Sequence, residues 1–366
     1  MSESLKSFLE DFSYPPVYYA NASHGFYDLL HWVQLHRPKS TPNIIMPVYI
    51  PAKLYRFVLA AGYEVRFYDV TTDLDFSLDE IYSLIDNQSQ MVFAVHFFGI
   101  PTDLATLKNL TRENKVFLIE DCAHTLNGYH NGTKLGSTGD FALFSSRKML
   151  QVHCGGWVVF NHQPWAFHPS TSKKVNSLYS GYHLLGSRLK YFSNYLGKGR
   201  QLIGSQPAPY NGYIDFSEQQ DIRIKRMSRL SKLYLQSINI SDITEKRRAN
   251  TRYLWKALKS SDILEPIGFH RLSSETDSNG NTNLRVKDGY VPFSLPVLTP
   301  AGERKRIQRK LLDAGIRCYA GWPEAPFGFS GFHQTEQLQQ RLLELPVHQY
   351  INKYQLEIIA QTLTEN

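Results

Sequence analysis

Two stretches of this 366-residue chain concentrate side chains able to act as acids, bases or nucleophiles. In the first, the apolar run Phe117-Leu118-Ile119 ends in Glu120, Asp121 and Cys122, with Ala123 and His124 following. In the second, Phe141-Ala142-Leu143-Phe144 runs into Ser145, Ser146, Arg147 and Lys148, and a Gly155-Gly156 pair comes seven residues after the lysine. A carboxylate can pair with a cationic ring, a deprotonated lysine can attack a carbonyl, and hydroxyls can bind an oxyanion. Both stretches read as strand ends, where ligands collect in open α/β sheets. Taken singly, each residue has a plainer reading. A strand-end Asp often caps a helix or loop, a lone His is often packed in place, and a Lys is usually a surface residue. The joint placement carries the inference.

A carboxylate, a lysine, hydroxyls and a planar side chain are the parts that pyridoxal phosphate requires, since that cofactor is an electron sink which the protein anchors and tunes. The lysine forms a Schiff base, the carboxylate keeps the pyridine nitrogen protonated, and hydroxyls with helix-start amides receive the phosphate. Lys148 and Asp121 are the candidates for the first two tasks. Ala22-Ser23-His24-Gly25, leading into a helix over 26–35, offers the helix start. There Ser23 suits a phosphate, and equally a plain N-cap.

The elements that must position these residues follow from hydrophobic periodicity. Apolar runs at 44–47, 64–68, 91–95, 116–119, 141–144 and 157–160 alternate with helix-length segments near 52–61, 78–86 and 103–113. Strands spaced by helices predict a mostly parallel sheet covered on both faces. After about residue 215 the pattern changes to long helices at 217–238 and 243–259, a polar stretch at 273–283 that reads as an exposed loop, a strand at 291–297, a helix at 303–314, a short strand at 316–319 and a final helix at 354–364. This predicts a large α/β domain over 1–215 and a smaller α+β domain over 216–366. The basic run Arg223 to Lys232 has the spacing of a solvated helix face.

Composition bounds the function. With 42% hydrophobic and 13% aromatic residues the chain can bury a large core. Three scattered cysteines, Cys122, Cys154 and Cys318, suggest neither a disulfide framework nor a metal site and fit a reducing cytoplasm. The first residues mix charged and apolar positions, unlike a secretory signal, and no run approaches the roughly 20 apolar residues of a membrane span. Lys plus Arg exceed Asp plus Glu by 40 − 33 = 7. Spread as it is, this charge suits a phosphorylated small ligand better than a nucleic acid.

Ile119-Glu120-Asp121-Cys122-Ala123-His124, Gly136-Ser137-Thr138-Gly139-Asp140, Phe144-Ser145, and Lys148 before Gly155-Gly156 together resemble the motifs of the DegT/DnrJ/StrS family, the pyridoxal-phosphate aminotransferases of sugar biosynthesis. Weaker likenesses extend to Met46-Pro47-Val48-Tyr49, His96-Phe97-Phe98-Gly99, Arg247-Arg248-Ala249-Asn250 and Leu345-Pro346-Val347-His348. The resemblance implies the aspartate-aminotransferase fold (fold type I) and a cytoplasmic homodimer. It also implies the Schiff base on Lys148, the pyridine nitrogen paired with Asp121, His124 against the ring, and the phosphate held by Ser145 with Ser23 and His24. Its implied activity is amino transfer from an amino acid to a nucleotide-linked keto-sugar or related keto compound. The same machinery serves decarboxylation, elimination or condensation on an amino acid, and a non-catalytic binding or regulatory relative is the alternative of another class.

Three features depart from the family pattern. The step from Ser145 to Lys148 is shorter by two residues, Ser23-His24 stands where Gly-Thr is usual, and Ile224-Lys225-Arg226-Met227 replaces Asn-x-Arg-Met. In the family that asparagine reaches the partner subunit's phosphate. Lys225, Arg226 or Asn211 are the candidate replacements, either Ser145 or Ser146 could meet the phosphate, and Tyr49, Tyr319 and His348 are further candidates to line the pocket.

Overall fold

The computed structural model describes residues 4–150, 152–162, 167, 169–171, 173–185, 222–259, 264–268, 274–276, 282–284, 290–322 and 331–364. Its N-terminal part opens with α1 (Leu5–Glu10) and β1 (Val17–Tyr19) and continues through α2 (Ala22–His36), β2 (Asn43–Pro47), α3 (Ala52–Ala60) and β3 (Glu64–Tyr68). Then come α4 (Leu78–Leu84), β4 (Ser89–Val95), α5 (Ala105–Glu113), β5 (Phe117–Cys122), the small hairpin β6 (Tyr129–His130) and β7 (Thr133–Lys134), β8 (Phe141–Ser145) and β9 (Gly156–Phe160). A helix, α6, spans 177–185.

Seven of these strands form one sheet in the order β1-β9-β8-β5-β4-β2-β3. From β3 across to β8 every neighbour is parallel, as the helix-spaced apolar runs predict. The edge differs, because β9 returns antiparallel beside β8 and β1 adds antiparallel to β9. No crossover helix separates β8 from β9, so direct reversal is the available connection. The residues between them, including Lys148, therefore emerge at the carboxyl end of β8. The three residues of β1 carry too little periodicity to predict a strand.

Side chains alternate across the sheet with period two. On β8 and β9, Phe141, Leu143, Val158 and Phe160 join the larger core with α2, whereas Ala142, Phe144, Trp157 and Val159 join a second core with Leu5, Phe8 and Phe12. Phe144 and Trp157 stack in that second core with centroids 5.3 Å apart and planes at 13°. Burying each of these rings is worth about 2–3 kcal/mol, so α1, which the sequence reading passes over, seals the back of the strand that delivers Lys148.

The C-terminal part comprises α7 (Arg229–Gln236), α8 (Ile240–Lys259), β10 (Glu265–Pro266), a hairpin of β11 (Ser274–Thr276) with β12 (Thr282–Leu284), β13 (Ser294–Leu298), α9 (Arg304–Asp313), α10 (His333–Arg341), β14 (Leu342–Pro346) and α11 (Lys353–Thr364). A second, three-stranded sheet has the order β10-β13-β14. Two expectations are corrected. The polar stretch at 273–283 contains paired strands, since cross-strand main-chain bonds can form without an apolar pattern. The basic run is helical only from Arg229, where Ser228 caps α7; Arg226 instead pairs with Tyr19 and Lys174 in extended conformation. The expected boundary near residue 215 lies outside the described residues, as does Asn211. Among the described residues no helix is long and apolar enough to cross a membrane.

Candidate active site

Strand alternation separates the two adjacent acids of β5. Glu120 faces one side, buried, accepting hydrogen bonds from the ring of His96 at 2.9 Å and from the amides of Gly136, Thr138 (3.1 Å) and Gly139 (3.0 Å). Burial raises its pKa, but the His96 bond and charge and the glycine amides outweigh this and hold it below the ordinary carboxylate value. Glu120 is thus a clamp for the 136–139 turn. Asp121 faces the other side and lines a cavity of about 710 Å³, within the usual range for small-ligand sites.

One Asp121 oxygen, Oδ1, accepts the Ala123 amide at 2.8 Å. Burial raises the pKa of this carboxyl, with Lys148, the Ala123 amide and His96 opposing the shift. Lys148 lines the same cavity, and burial lowers its pKa, opposed by Asp121 and Glu344 and reinforced by Arg147. A site that favours the neutral amine favours the nucleophile, because a protonated lysine has no lone pair to donate.

The β8–β9 connection also distinguishes the two serines. Ser145 lines the cavity. Ser146 is fully buried and turned to structural use, its amide and hydroxyl both donating to the Gly155 carbonyl at 2.8 and 3.0 Å. The glycine pair has a packing role: a Cβ on Gly156 would lie 2.1 Å from the Asn21 carbonyl carbon and 2.2 Å from the Ala22 nitrogen. Only glycine lets the start of α2 sit this close to β9.

That helix start faces the cavity through Asn21, Ala22 and Ser23. Asn21 is the N-cap, its Oδ1 accepting the His24 amide at 2.9 Å, which settles the capping question against Ser23 and leaves Ser23 at the cavity wall. Free amides and dipole make a helix N-terminus a seat for anions. His24, by contrast, is not among the residues lining the cavity; its Nδ1 accepts the Lys225 amide at 3.2 Å. Burial lowers its pKa to about 4, the Lys225 amide opposing and the charges of Lys53, Arg147 and Lys225 reinforcing the shift. A neutral His24 therefore supports the wall, and a contact between its imidazole and a cavity ligand is not what the structure shows. Lys53 and Arg147 do line the cavity, and sequence reading singled out neither. Lys53 follows the β2 strand end by six residues, and Arg147 adjoins Lys148; strand-end position was the only available signal. Arg226 donates to the Tyr18 carbonyl at 2.7 Å.

His124 lines the cavity. Its Nδ1 accepts the Phe98 amide at 3.0 Å, and its ring stacks on Phe293 at 4.5 Å and 10°. Burial and the charge of Lys148 hold its pKa well below normal, so it presents a flat neutral ring. The opposite wall comes from the smaller sheet: Glu344, Pro346 and His348, on alternate positions of β14 and its extension, all line the cavity, as do Tyr319 and Trp322. His348 is buried, and neither ring nitrogen has a hydrogen-bond partner beyond its own main chain, so this wall expects a polar ligand. Tyr49 is fully buried and packs edge-to-face against Trp322 at 5.0 Å without lining the cavity.

A parallel sheet delivering a carboxylate and a lysine to one cavity, closed by a smaller antiparallel sheet, is the architecture of fold-type-I aminotransferases. Helicobacter pylori PseC, an aminotransferase of pseudoaminic acid biosynthesis, matches with a TM-score of 0.68 over 98% of this chain and 88% of that one, at 16% identity. The putative sugar aminotransferase Spr1654 of Streptococcus pneumoniae, in its PLP form, gives 0.68 over 98% and 88%, at 14% identity. At such identities the likeness is one of fold. Residues 20–173, the span that carries α2, Asp121 and Lys148, match the model of the DegT/DnrJ/EryC1/StrS aminotransferase family. GDP-perosamine synthase of Vibrio cholerae is 30% identical over 122 residues, 32% of this chain. The match spans 33% of that relative's own length.

Proposed function

We propose that this chain is a pyridoxal-phosphate-dependent aminotransferase that passes an amino group from an amino acid to a nucleotide-linked keto-sugar or a related small keto compound, working as a cytoplasmic homodimer. The observation that carries the reading is the shared cavity of Lys148 and Asp121, with the α2 N-terminus on its wall. The residues fit the cofactor. Asp121 keeps a carboxylate with one oxygen on the Ala123 amide and can accept a hydrogen bond from a protonated ring nitrogen. The amides at the start of α2, with Ser23, Ser145, Lys53 and Arg147, supply donors and positive charge for a phosphate dianion. The buried ring of His124 offers a flat surface for an aromatic ligand.

Pyridoxal phosphate, when bound, supplies an electron sink for charge developing on the substrate carbon. Lys148 would hold the cofactor, and its free amine would carry a proton to and from the substrate carbon. Asp121 would hold its charge toward the ring nitrogen, preorganised help of the kind that lowers barriers by several kcal/mol. The aromatic wall of Phe293, His124 and Trp322 excludes water from that exchange. A division into a cofactor-bearing large domain, 1–215, and a small domain, 216–366, that closes the cavity belongs to the same reading.

The test is spectroscopic. Purified chain incubated with pyridoxal phosphate should show the lysine-bound cofactor band, absent in Lys148→Ala. Glutamate should convert that band toward the pyridoxamine form, and Asp121→Asn should slow the conversion about 100-fold or more. No band, or a band that survives Lys148→Ala, refutes the cofactor assignment. A band perturbed only by decarboxylation or elimination substrates refutes amino transfer.

A further inference from the structure

The proposed chemistry requires Lys148 to lose a proton, and the cavity wall contains a carboxyl with no part in that scheme so far. Glu344 sits in the middle of β14 and lines the cavity with Lys148. It is built in: its Oε2 accepts the Ser294 hydroxyl at 3.0 Å, the Gly321 amide donates to the carboxylate, and its own amide donates to the Tyr319 carbonyl at 2.7 Å. Strand alternation gives Glu344, Pro346 and His348 one common face, so the side chain is directed at the ligand space by the sheet itself.

We propose that Glu344 is a positioning residue of the same site, the group that takes the proton shed by the Lys148 amine and returns it. The claim rests on the lysine assignment of the proposed function. In the step, an N–H bond at Lys148 Nζ breaks, the electron pair stays on nitrogen, and an O–H bond forms on the Glu344 carboxylate. His348, on the same wall, is a poor acceptor because burial lowers its pKa to about 3, and two further groups are committed elsewhere. Asp121 must stay anionic beside the ring nitrogen. His124 has its Nδ1 on the Phe98 amide and its ring against Phe293. Arg147 and Arg317 do not give up their protons. The titratable and charged groups that act on Glu344 or are acted on by it are Lys148 from the β8–β9 connection, Tyr49 beyond β2, and Cys318 and Tyr319 beyond α9. Burial raises the Glu344 pKa to about 7, with the Ser294 bond, the Lys148 charge and the Gly321 amide opposing; a carboxyl poised there exchanges protons at neutral pH.

Coupling between two titrating groups is reciprocal, which sets the experiment. Full-length protein loaded with pyridoxal phosphate is titrated from acid to alkali while two signals are followed: the infrared band of a protonated carboxyl, and the absorbance of the Lys148-bound cofactor. A carboxyl should titrate near neutrality and vanish in Glu344→Gln. In that variant the proton affinity of the lysine-bound chromophore should fall about threefold or more, because a neighbouring anion is gone, and Glu344→Asp should recover part of it. Ser294→Ala, which leaves Glu344 in place, should raise the carboxyl midpoint by removing a donor to the charged form. The proposal is overturned if the chromophore forms but titrates identically in Glu344→Gln, or if Ser294→Ala leaves the carboxyl midpoint unmoved. Absence of the chromophore would strike the proposed function instead, and the carboxyl signal would still be readable.

Discussion

Replacing Gly156 by alanine tests whether the start of α2 is the phosphate seat of the proposed function. The added methyl would lie 2.1 Å from the Asn21 carbonyl carbon and 2.2 Å from the Ala22 nitrogen, where ordinary contact begins at 3.4 Å. The deficit is 3.4 − 2.1 = 1.3 Å, and the obstructing atoms are main chain, so no side-chain rotation relieves it. Either β9 or the start of α2 must shift by about 1 Å. Overpacking of this kind costs roughly 1–3 kcal/mol of stability, which a chain with this much buried core survives. A misplacement near 1 Å of a group that positions a ligand costs up to about 100-fold in function. We therefore expect Gly156→Ala to fold and to bind pyridoxal phosphate about 10–100-fold more weakly, measured by titrating the cofactor into unloaded protein and reading the lysine-bound band. Gly155→Ala is the control, since its methyl would meet the Ser146 hydroxyl at 2.0 Å and not the helix. Wild-type cofactor affinity in a folded Gly156→Ala variant would show that the start of α2 is not where the phosphate sits.

Ser145→Ala should weaken cofactor binding about tenfold, the scale of one hydrogen bond to a charged group, whereas Ser146→Ala should leave affinity unchanged and lower the unfolding free energy by about 1 kcal/mol in urea titration. Lys53→Met should weaken cofactor binding and flatten its dependence on salt, read from titrations at low and high ionic strength; unchanged salt dependence would remove Lys53 from the phosphate cup. Glu120→Gln should destabilise the chain by about 3–5 kcal/mol, because an amide NH2 would be turned toward a cage of donors. As the folded pKa of Glu120 is depressed, its contribution is present above the ordinary carboxylate pKa and is lost as pH falls through the lower folded value. Wild-type protein should therefore lose stability on acidification more steeply than Glu120→Gln, by denaturant titration across that window.

Much of the site was legible because it depends on local sequence. Asp121 and Lys148 follow apolar strands, and a parallel sheet brings strand ends together whatever the details of packing. The roles of neighbours were less legible, since they depend on which way a side chain turns. Glu120 and Asp121 are adjacent acids with opposite employment, decided by strand alternation once the core side is known. Ser145 and Ser146 part in the same way. Ser23 reads equally well as a cap, and only the placement of Asn21 one residue before the helix removes that role. Glu344 lies within an apolar strand that nothing local ties to Lys148, nearly two hundred residues earlier. The basic run at 223–232 misleads because helical spacing is a weak guide where a strand edge, here Tyr19, offers main-chain pairing.

Two sets of charges on the cavity wall differ in the neighbours they act on, and this bears on how a ligand must lie. Lys53 and Arg147 share the wall with the α2 N-terminus and act together on the pKa of His24. Asp121 and Glu344 are the carboxyls that act on Lys148. A ligand with a dianionic group at one end and a protonated ring nitrogen at the other satisfies both regions in one orientation and neither in the reverse. Arg147 acts on both sets, opposing protonation of Lys148 and of His24, and in the proposed scheme it also serves the phosphate. Neutralising it should therefore have two separable effects. Arg147→Met should weaken phosphate-dependent affinity and, with one cation gone, raise the proton affinity of the lysine-bound chromophore, opposite in sign to the effect of Glu344→Gln. A fall in both quantities, or no change in the second, would mean that the two charge regions are not coupled through Arg147.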